Sequence, residues 1–171
     1  MHRTDFLVIG SGIAGLSFAL KVAKLGSVAI VTKRQGIDSN TAWAQGGISC
    51  VTDEDDSFDL HVADTLDAGA GLCDESVVRT IVSEGPERIQ ELIDYGVDFD
   101  YHEVDGEQVI SLGREGGHSM RRILHSRDTT GREIEEKLLA AAQAEPNITL
   151  FEHHYAIDLI TTSELGLATE N

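Results

Sequence analysis

Residues 6–26 read FLVIGSGIAGLSFALKVAKLG, and this stretch decides the fold class. Its first four residues are a short apolar run ending at a glycine, which is typical of a strand buried on both faces of a parallel sheet. Apolar residues then recur at helical spacing, and a second apolar run follows at residues 28–31. A strand, a glycine turn, a helix and another strand in this order predict an α/β fold with a parallel sheet.

The turn between the first strand and the helix has the pattern G-x-G-x-x-G. Its residues are Gly10, Ser11, Gly12, Ile13, Ala14 and Gly15. In such a turn the first glycine permits the bend, the second lets the backbone approach a pyrophosphate, and the third lets helix and strand pack closely. The helix N-terminus adds free N–H groups and a positive dipole end. The turn therefore predicts a dinucleotide site, and the alternative is a purely structural glycine turn.

The residues after the second strand leave the identity of the dinucleotide open. An acidic residue usually stands there and holds the ribose hydroxyls. This chain has Thr32, Lys33 and Arg34 instead. A basic pair at this point is typical of a site for the 2′-phosphate of NADP.

The composition argues against several classes of partner. Of the 171 residues, 41% are hydrophobic and 25% are charged, which is globular composition. The 13 basic and 30 acidic residues give a formal net charge of −17, which argues against nucleic acid and against an anionic membrane surface. The two cysteines are too few for a disulfide framework. Neither a signal peptide nor a membrane-spanning apolar run is found, so we expect a cytoplasmic protein.

Local signals predict further elements along the rest of the chain. The acidic run at residues 53–56 is expected to be a solvated loop rather than a metal site. The helix after it is expected to bury a stripe of Leu60, Ala63, Leu66 and Ala70. The other signals are N-caps at Ser57 and Asp74, a helix break at Gly85 and Pro86, a hairpin turn at Asp105 and Gly106, a capping box from Thr130 to Glu133, and strands at residues 147–150 and 155–160.

A second glycine-rich stretch, SNTAWAQGGI at residues 39–48, fits neither a helix nor a strand pattern. Together with LVIGSGIAGLSFALKVAKLG and the VTK that follows, it resembles one flavoprotein family. This family contains L-aspartate oxidases and the flavoprotein subunits of succinate dehydrogenase and fumarate reductase. The later motif LGREGGHSMRRILH, followed by DTTG, is similar to the L-aspartate oxidase branch. The resemblance extends from Asp5 to about Ile160.

The resemblance implies a Rossmann-like domain with FAD as its cofactor. Ser11, Gly12, Ile13 and Ala14 would contact the pyrophosphate region, Lys33 would lie by the adenosine ribose, and a late strand would bring Ala156 against the adenine. The flavin end would be wrapped by Asn40, Thr41, Ala42, Trp43, Ala44, Gln45, Gly46 and Gly47. The two glycines would let backbone N–H groups reach the isoalloxazine, and the threonine and glutamine offer side-chain hydrogen bonds.

Asn40 predicts how the FAD is held. In relatives similar to succinate dehydrogenase, the residue before this threonine is a histidine that bonds covalently to the flavin. An amide cannot serve as that nucleophile. The resemblance therefore predicts non-covalent FAD.

Glu115 is the candidate substrate-binding residue. A carboxylate in a glycine-flanked loop can lie close to a bound ligand. The resemblance implies that it faces the amino group of the substrate, and an ammonium group does need an anionic partner. The alternative is a solvent-facing side chain beside Arg114. The histidines do not have zinc-site spacing, and no metal is expected.

The resemblance implies FAD-dependent oxidation of L-aspartate to iminoaspartate, with oxygen or fumarate as electron acceptor. The product would enter quinolinate and NAD synthesis, and quinolinate synthase is a candidate partner. Family members are several times longer, so residues 1–171 are expected to be the N-terminal part of the FAD-binding domain. The capping domain, the C-terminal helical domain and the catalytic residues would lie beyond Asn171, and no turnover is expected from this chain alone. The alternatives are a fumarate reductase or succinate dehydrogenase-type flavoprotein and a non-catalytic dinucleotide-binding fragment.

Overall fold

The computed structural model describes residues 2–127 and 129–166. The strands are β1 (Phe6–Ile9), β2 (Val28–Val31), β3 (Ile48–Ser49), β4 (Tyr101–Val104), β5 (Glu107–Ile110), β6 (Leu112–Gly113), β7 (Ile123–Leu124) and β8 (Ile148–Phe151). The α-helices are α1 (Ile13–Val22), α2 (Phe58–Ala68), α3 (Glu75–Asp94) and α4 (Thr130–Ala144), and Thr41–Trp43 form a short 3-10 helix.

The strands β1, β2 and β8 form a parallel sheet with β2 in the centre. Phe6 of β1 lies opposite Val28, and Val28 in turn lies opposite Ile148 of β8. The chain passes from β1 to β2 through α1, so the predicted α/β class with a parallel sheet is confirmed. The strands β3, β7 and β6 form a small antiparallel sheet, and β4 and β5 form the predicted hairpin. At its turn Asp105 and Gly106 have positive φ angles of 53° and 87°, as a tight hairpin requires.

The main core lies where α1 and α4 pack against each other and against the parallel sheet. Leu16 of α1, Ile30 of β2 and Leu138 of α4 have no exposed surface. Burial of each such side chain contributes about 1.5–3 kcal/mol relative to leaving it in water. A smaller cluster, centred on Val62 and Val78, joins α2 to α3. The core therefore supports the ends of β1 and β2 directly. The second half of α3 contributes Ile89 and Leu92 to this main core, while its first half packs on α2.

The predicted helix break at Gly85 and Pro86 is wrong. The helix α3 continues through both residues. A proline inside a helix costs about 3 kcal/mol because it removes a hydrogen bond and crowds the preceding turn. Burial on both sides of the proline opposes that cost, since Val82 is 6% exposed and Ile89 is 4% exposed. Tertiary packing thus overrides the local signal.

The predicted N-caps of α2 and α3 are confirmed. The Ser57 hydroxyl accepts a hydrogen bond from the backbone N–H of Leu60 at 3.2 Å. The Asp74 carboxylate accepts one from the N–H of Ser76 at 2.9 Å. Each side chain satisfies an N–H group that the first helical turn leaves unpaired.

The predicted burial stripe of α2 is wrong. The buried residues are His61 and Val62, whereas Leu60 is 41% exposed and Ala63 is also exposed. Leu66 is partly buried against the smaller cluster. The stripe is displaced because α2 packs on α3 and on a buried polar cluster rather than on the main core.

The predicted capping box from Thr130 to Glu133 is also wrong. Thr130 is the first residue of α4 and is buried, and its hydroxyl accepts a hydrogen bond from the N–H of Ser126 at 3.0 Å. The Glu133 carboxylate accepts instead from the N–H of Asp98 at 3.3 Å. Both side chains are therefore used to fix neighbouring loops rather than the helix end.

The strand predicted at residues 147–150 is confirmed as β8, but the one predicted at residues 155–160 is wrong. The chain turns at His153, which has a positive φ of 57°. Tyr155 and Ile157 are 75% and 94% exposed, and no strand within the described ranges pairs with this segment. Strand propensity without a neighbouring strand does not produce a ladder.

The substitution Gly131→Ala is expected to lower the free energy of unfolding by about 1–3 kcal/mol, the usual range for overpacking. A Cβ at this position would collide with the carbonyl oxygen of Thr41 and lie 2.7 Å from that of Ala44. Gly116→Ala is the control, because no atom lies within 4 Å of a Cβ there. Urea unfolding followed by circular dichroism compares the two. Equal losses would contradict the close packing of α4 against the 3-10 helix.

Candidate functional site

A cavity of about 420 Å³, here called the first cavity, lies at the carboxyl ends of β1 and β2. This is where open parallel sheets bind their ligands. Its wall combines the glycine turn, the end of β2, the loop after it and the segment after β8. The lining residues are Ile9, Gly10, Ser11, Gly12, Val31, Thr32, Lys33, Asp38, Ser39, Asn40, Thr41, His154, Tyr155 and Ala156.

Two hydrogen bonds join the glycine turn to the rest of the first cavity. Gly12 is the N-cap of α1 and has no side chain to cap the helix. The Thr41 hydroxyl takes that role by accepting a hydrogen bond from the N–H of Ile13 at 3.0 Å. The Ser11 hydroxyl lies 3.2 Å from the Thr32 hydroxyl, to which it donates. The turn, the end of β2 and the second glycine-rich stretch are therefore held as one unit.

Gly15 lets α1 cross the end of β1 closely. A Cβ at this position would collide with the carbonyl oxygen of Gly10 and lie 3.3 Å from a methyl group of Val8. The crossing directs the N-terminus of α1, with its free N–H groups and positive dipole end, at the first cavity. Lys33 adds a positive charge to the wall. This chemistry fits the diphosphate of a dinucleotide.

A second cavity of about 460 Å³ is lined by Gln45, Gly46, Gly113, Arg114, Glu115, Ile123, His125 and Arg127. A Cβ at Gly46 would lie only 3.2 Å from a carboxylate oxygen of Glu115. The carboxylate therefore rests against the backbone of the second glycine-rich stretch. The predicted substrate residue and the predicted flavin loop meet in this cavity.

Asp100 fixes another part of the wall of the second cavity. Its carboxylate lies 2.7 Å from Nδ1 of His125 and accepts a hydrogen bond from the N–H of Arg127 at 2.8 Å. Arg127 has a positive φ of 48°, a conformation that is uncommon for a residue with a side chain. The cavity thus combines one carboxylate, Glu115, with the guanidinium groups of Arg114 and Arg127.

The two cavities contain some, but not all, of the cofactor and substrate residues that were predicted from the sequence. Trp43 is 78% exposed, and the carbonyl of Ala44 is used as acceptor by the N–H of Gly131. The first cavity contains Gly10, Ser11, Gly12, Lys33, Asn40, Thr41 and Ala156, and the second contains Gln45, Gly46 and Glu115. Neither is lined by Ile13, Ala14, Gly15, Ala42, Trp43, Ala44 or Gly47.

Several residues of the first cavity were missed by sequence reasoning. Asp38 supplies a carboxylate after β2, beyond the position where the sequence rule expects an acid. Ser39 opens the glycine-rich stretch, so its position was a usable signal. His154 and Tyr155 follow β8 and carry no local signal. They reach the cavity because the N–H of His154 donates to the carbonyl of Thr32 at 3.0 Å, beyond the last paired residues of the parallel ladder.

The family profile of the FAD binding domain matches residues 5–169. The chain belongs to this family. FAD is therefore the cofactor of the domain, and the glycine cradle, the helix N-terminus and Lys33 of the first cavity fit its diphosphate.

Similar proteins include L-aspartate oxidases and a fumarate reductase. The chloroplastic L-aspartate oxidase of Oryza sativa subsp. japonica is 56% identical over 95% of this chain and 25% of its own length. The L-aspartate oxidase of Vibrio cholerae is 51% identical over 96% of this chain and 31% of its own length. A point-mutant FrdA of E. coli quinol fumarate reductase superposes with a TM-score of 0.85 at 29% identity, over 92% of this chain and 27% of that one. The resemblance stated from the sequence is confirmed, and the chain spans about a quarter to a third of these relatives.

The described ranges contain neither a membrane-spanning helix nor a metal-ligand cluster. None of the helices within residues 2–127 and 129–166 is long and apolar enough to cross a membrane. In the same residues no three His, Cys, Asp or Glu side chains come together as ligands for a metal ion.

A buried ion cluster anchors the loop that carries Glu115. Arg122 has no exposed surface and makes a two-pronged contact with Asp56, with both N–O distances at 2.8 Å. It also contacts Asp64 at 2.6 Å, and Asp64 accepts hydrogen bonds from the backbone and hydroxyl of Ser119 at 2.8 Å each. The cluster therefore ties the part of the loop that follows Glu115 to α2, through Asp64, and to the segment before α2, through Asp56.

The same cluster corrects the expectation for one residue of the acidic run at residues 53–56, while Asp53, Glu54 and Asp55 lie in an exposed loop as expected. The last member of the run, Asp56, has a fully buried side chain. Burial raises the pKa of Asp64, but hydrogen bonds from Ser119 and Arg122 outweigh it and lower that pKa to about 2. Asp64 thus stays ionised over the whole range of ordinary pH, and its stabilising contribution is lost only in strong acid.

Glu135 of α4 is a second buried charged residue near the site. Burial raises the pKa of its carboxyl to about 7, and a weaker influence from the Ser39 hydroxyl acts in the opposite direction. Its pKa is thus higher in the folded chain than in the unfolded one. The contribution of Glu135 to stability therefore falls as the pH rises from about 4.5 to about 7.

The substitution Arg122→Met is expected to destabilise the fold by about 3–5 kcal/mol, because it leaves two carboxylates without their buried counter-ion. Arg121→Met is the control, since this neighbouring side chain is exposed and its loss is expected to change stability by no more than about 0.5 kcal/mol. Chemical denaturation at neutral pH measures both variants. A loss of less than about 1 kcal/mol for Arg122→Met would contradict the anchoring role.

Proposed function

We propose that this chain forms the N-terminal part of the FAD-binding domain of an enzyme that oxidises L-aspartate to iminoaspartate. The product enters quinolinate and NAD synthesis. The first cavity supports the proposal because it offers a diphosphate site at the carboxyl ends of parallel strands. The identities of 51–56% with L-aspartate oxidases over almost the whole chain support it as well.

The observation that carries the choice of substrate is the position of Glu115 against Gly46. An amino dicarboxylate presents one ammonium and two carboxylates. The second cavity offers the Glu115 carboxylate for the substrate ammonium, and the guanidinium groups of Arg114 and Arg127 for the two substrate carboxylates. Bound FAD supplies the acceptor for the hydride that leaves Cα of aspartate. The residues of this chain hold and orient the substrate.

A second candidate function is that of a fumarate reductase or succinate dehydrogenase-type flavoprotein. The TM-score of 0.85 with fumarate reductase favours it. Succinate and fumarate have no ammonium group, so the acidic side chain of Glu115 gains nothing from them. A succinate assay on the protein at its full encoded length distinguishes the two. A non-catalytic dinucleotide-binding module remains the third alternative, and the absence of any FAD-dependent turnover at that length would favour it.

The proposal includes the wider setting of the enzyme. The capping domain, the C-terminal helical domain and the catalytic residues would follow residue 171, and oxygen or fumarate would reoxidise the flavin. We place the enzyme in the cytoplasm, although the rice relative is named chloroplastic. Quinolinate synthase is the proposed partner because it consumes the unstable product. Co-purification of the two proteins tests this contact.

Titration with FAD is expected to give saturable, non-covalent binding. Visible absorbance and flavin fluorescence follow the titration, and a parallel titration with NADP tests the alternative raised by Lys33. Acid precipitation of the holoprotein should release all the flavin into the supernatant, because Asn40 cannot form the covalent bond. Flavin retained in the pellet would contradict this assignment. Tighter binding of NADP than of FAD would contradict the cofactor itself.

The substitution Glu115→Gln is expected to raise KM for L-aspartate by about 10–100-fold, the range for loss of a charge-assisted hydrogen bond. KM for fumarate should change far less, because fumarate has no ammonium. Steady-state kinetics on the protein at its full encoded length measure both values. Glu107→Gln on the exposed hairpin is the control and should leave both unchanged. Equal effects of Glu115→Gln on the two substrates would refute the proposed contact.

A further inference from the structure

Glu135 is a buried acid that the proposed function does not use. Its side chain has no exposed surface, and no donor in residues 2–127 and 129–166 makes a well-formed hydrogen bond to either carboxyl oxygen. The other acids in the middle of α4 are paired: Glu133 lies 3.6 Å from Lys137, and Glu136 lies 2.8 Å from Arg132. A buried carboxylate without a partner is costly, so its presence requires an explanation.

The packing of α4 places Glu135 beneath the wall of the first cavity. The start of α4 contacts the second glycine-rich stretch, where the N–H of Gly131 donates to the carbonyl of Ala44 at 3.0 Å. Glu135 lies one helical turn further along the same buried face. The Ser39 hydroxyl is the one polar side-chain group that influences the pKa of Glu135, although the structure shows no hydrogen bond between them, and Ser39 also lines the first cavity. This hydroxyl is therefore the candidate link between the acid and the cavity.

The hydroxyl of Ser39 can present either of two polarities to the cavity. Its oxygen already accepts a hydrogen bond from the N–H of Ala42 at 3.2 Å, which leaves one lone pair and one hydrogen. If Glu135 is neutral, it can donate its proton to that lone pair, which leaves the Ser39 hydrogen free to face the cavity. If Glu135 is ionised, it can accept the Ser39 hydrogen instead, and the lone pair then faces the cavity. The first arrangement attracts an anionic ligand and the second repels it.

No charged group in the described ranges compensates an ionised Glu135. The 3-10 helix, α1 and β8 are the elements that pack most closely on α4. The 3-10 helix and β8 contain no titratable side chain, and Lys21 of α1 is paired with Glu91 at 2.9 Å. Asp38, next to Ser39, is exposed and carries the same sign of charge. Burial and the Ser39 hydroxyl are the influences that set the pKa of Glu135.

We propose that Glu135 is a positioning residue that couples FAD binding to the uptake of one proton. The carboxylate of the free protein takes a proton from solvent, becomes a neutral acid that donates to Ser39, and thereby turns the Ser39 hydroxyl toward the diphosphate. This inference rests on the proposed function in one respect only, namely that FAD binds in the first cavity. It adds that the affinity is controlled by pH through a residue that does not touch the cofactor.

The test measures the dissociation constant of FAD between pH 6 and 8.5, using flavin-stripped protein at its full encoded length. For the unmodified protein, Kd should rise above about pH 7, approaching tenfold per pH unit, the limit for one linked proton. Glu135→Gln carries a neutral amide that donates to Ser39 at every pH. Its Kd should be independent of pH and at least tenfold lower than that of the unmodified protein at pH 8.5. Glu136→Gln, on the exposed face of α4, should follow the unmodified protein.

A second measurement is made on the unmodified protein and therefore does not depend on the folding of Glu135→Gln. Calorimetric titration with FAD at pH 8, in buffers of different ionisation enthalpy, should show uptake of nearly one proton by the unmodified protein. Ser39→Ala should abolish most of this uptake because it removes the connecting hydroxyl. Parallel pH profiles for the unmodified protein and Glu135→Gln, or binding without proton uptake, would overturn the inference and leave the proposed function intact. Absence of saturable FAD binding at every pH would overturn both.

Discussion

The hydrogen bond from the backbone N–H of Ile13 to the hydroxyl of Thr41 is the contact on which the first cavity depends. The glycine turn has no side chain with which to cap α1, so the cap must come from elsewhere in the chain. By supplying it, Thr41 fixes the second glycine-rich stretch against the first helical turn. Gly131 then allows α4 to pack beneath that stretch without a clash. Thr41 thus contacts α1 through its side chain and α4 through its backbone, and so joins the two glycine-rich loops to both helices around the diphosphate site.

The second cavity depends on a different kind of interaction. The Glu115 loop contains several glycines and little apolar surface, so hydrophobic burial cannot hold it. The buried guanidinium of Arg122 does so through Asp56 and Asp64. Buried ion pairs add little net stability but are costly to break, because the remaining charge is left unsolvated. This favours a single arrangement of the loop, which suits a site that must hold the ammonium of a small substrate.

Local signals predicted those elements whose stabilising contacts are themselves local. The strands β1 and β2, the caps at Ser57 and Asp74 and the hairpin turn at Asp105 all follow from neighbouring residues. The sequence predictions were wrong where contacts with residues far apart in the chain outweigh the local signal. Burial carries α3 through its proline, and Thr130 binds the loop before α4 rather than capping the helix. The alternating residues after His153 find no partner strand in the described part of the chain and remain exposed.

The sequence by itself determined the α/β class, the glycine turn for a diphosphate and the resemblance to one flavoprotein family. These conclusions rest on periodicity and on residue order, which a linear chain displays directly. Only the tertiary structure decided that Arg122 is buried between two aspartates, while Arg121 beside it is exposed. It likewise decided that Glu135 is buried without a hydrogen-bond partner within the described residues and that Asp38 reaches the first cavity. Desolvation and charge pairing depend on what surrounds a side chain in space, and residues far apart in the sequence supply those surroundings.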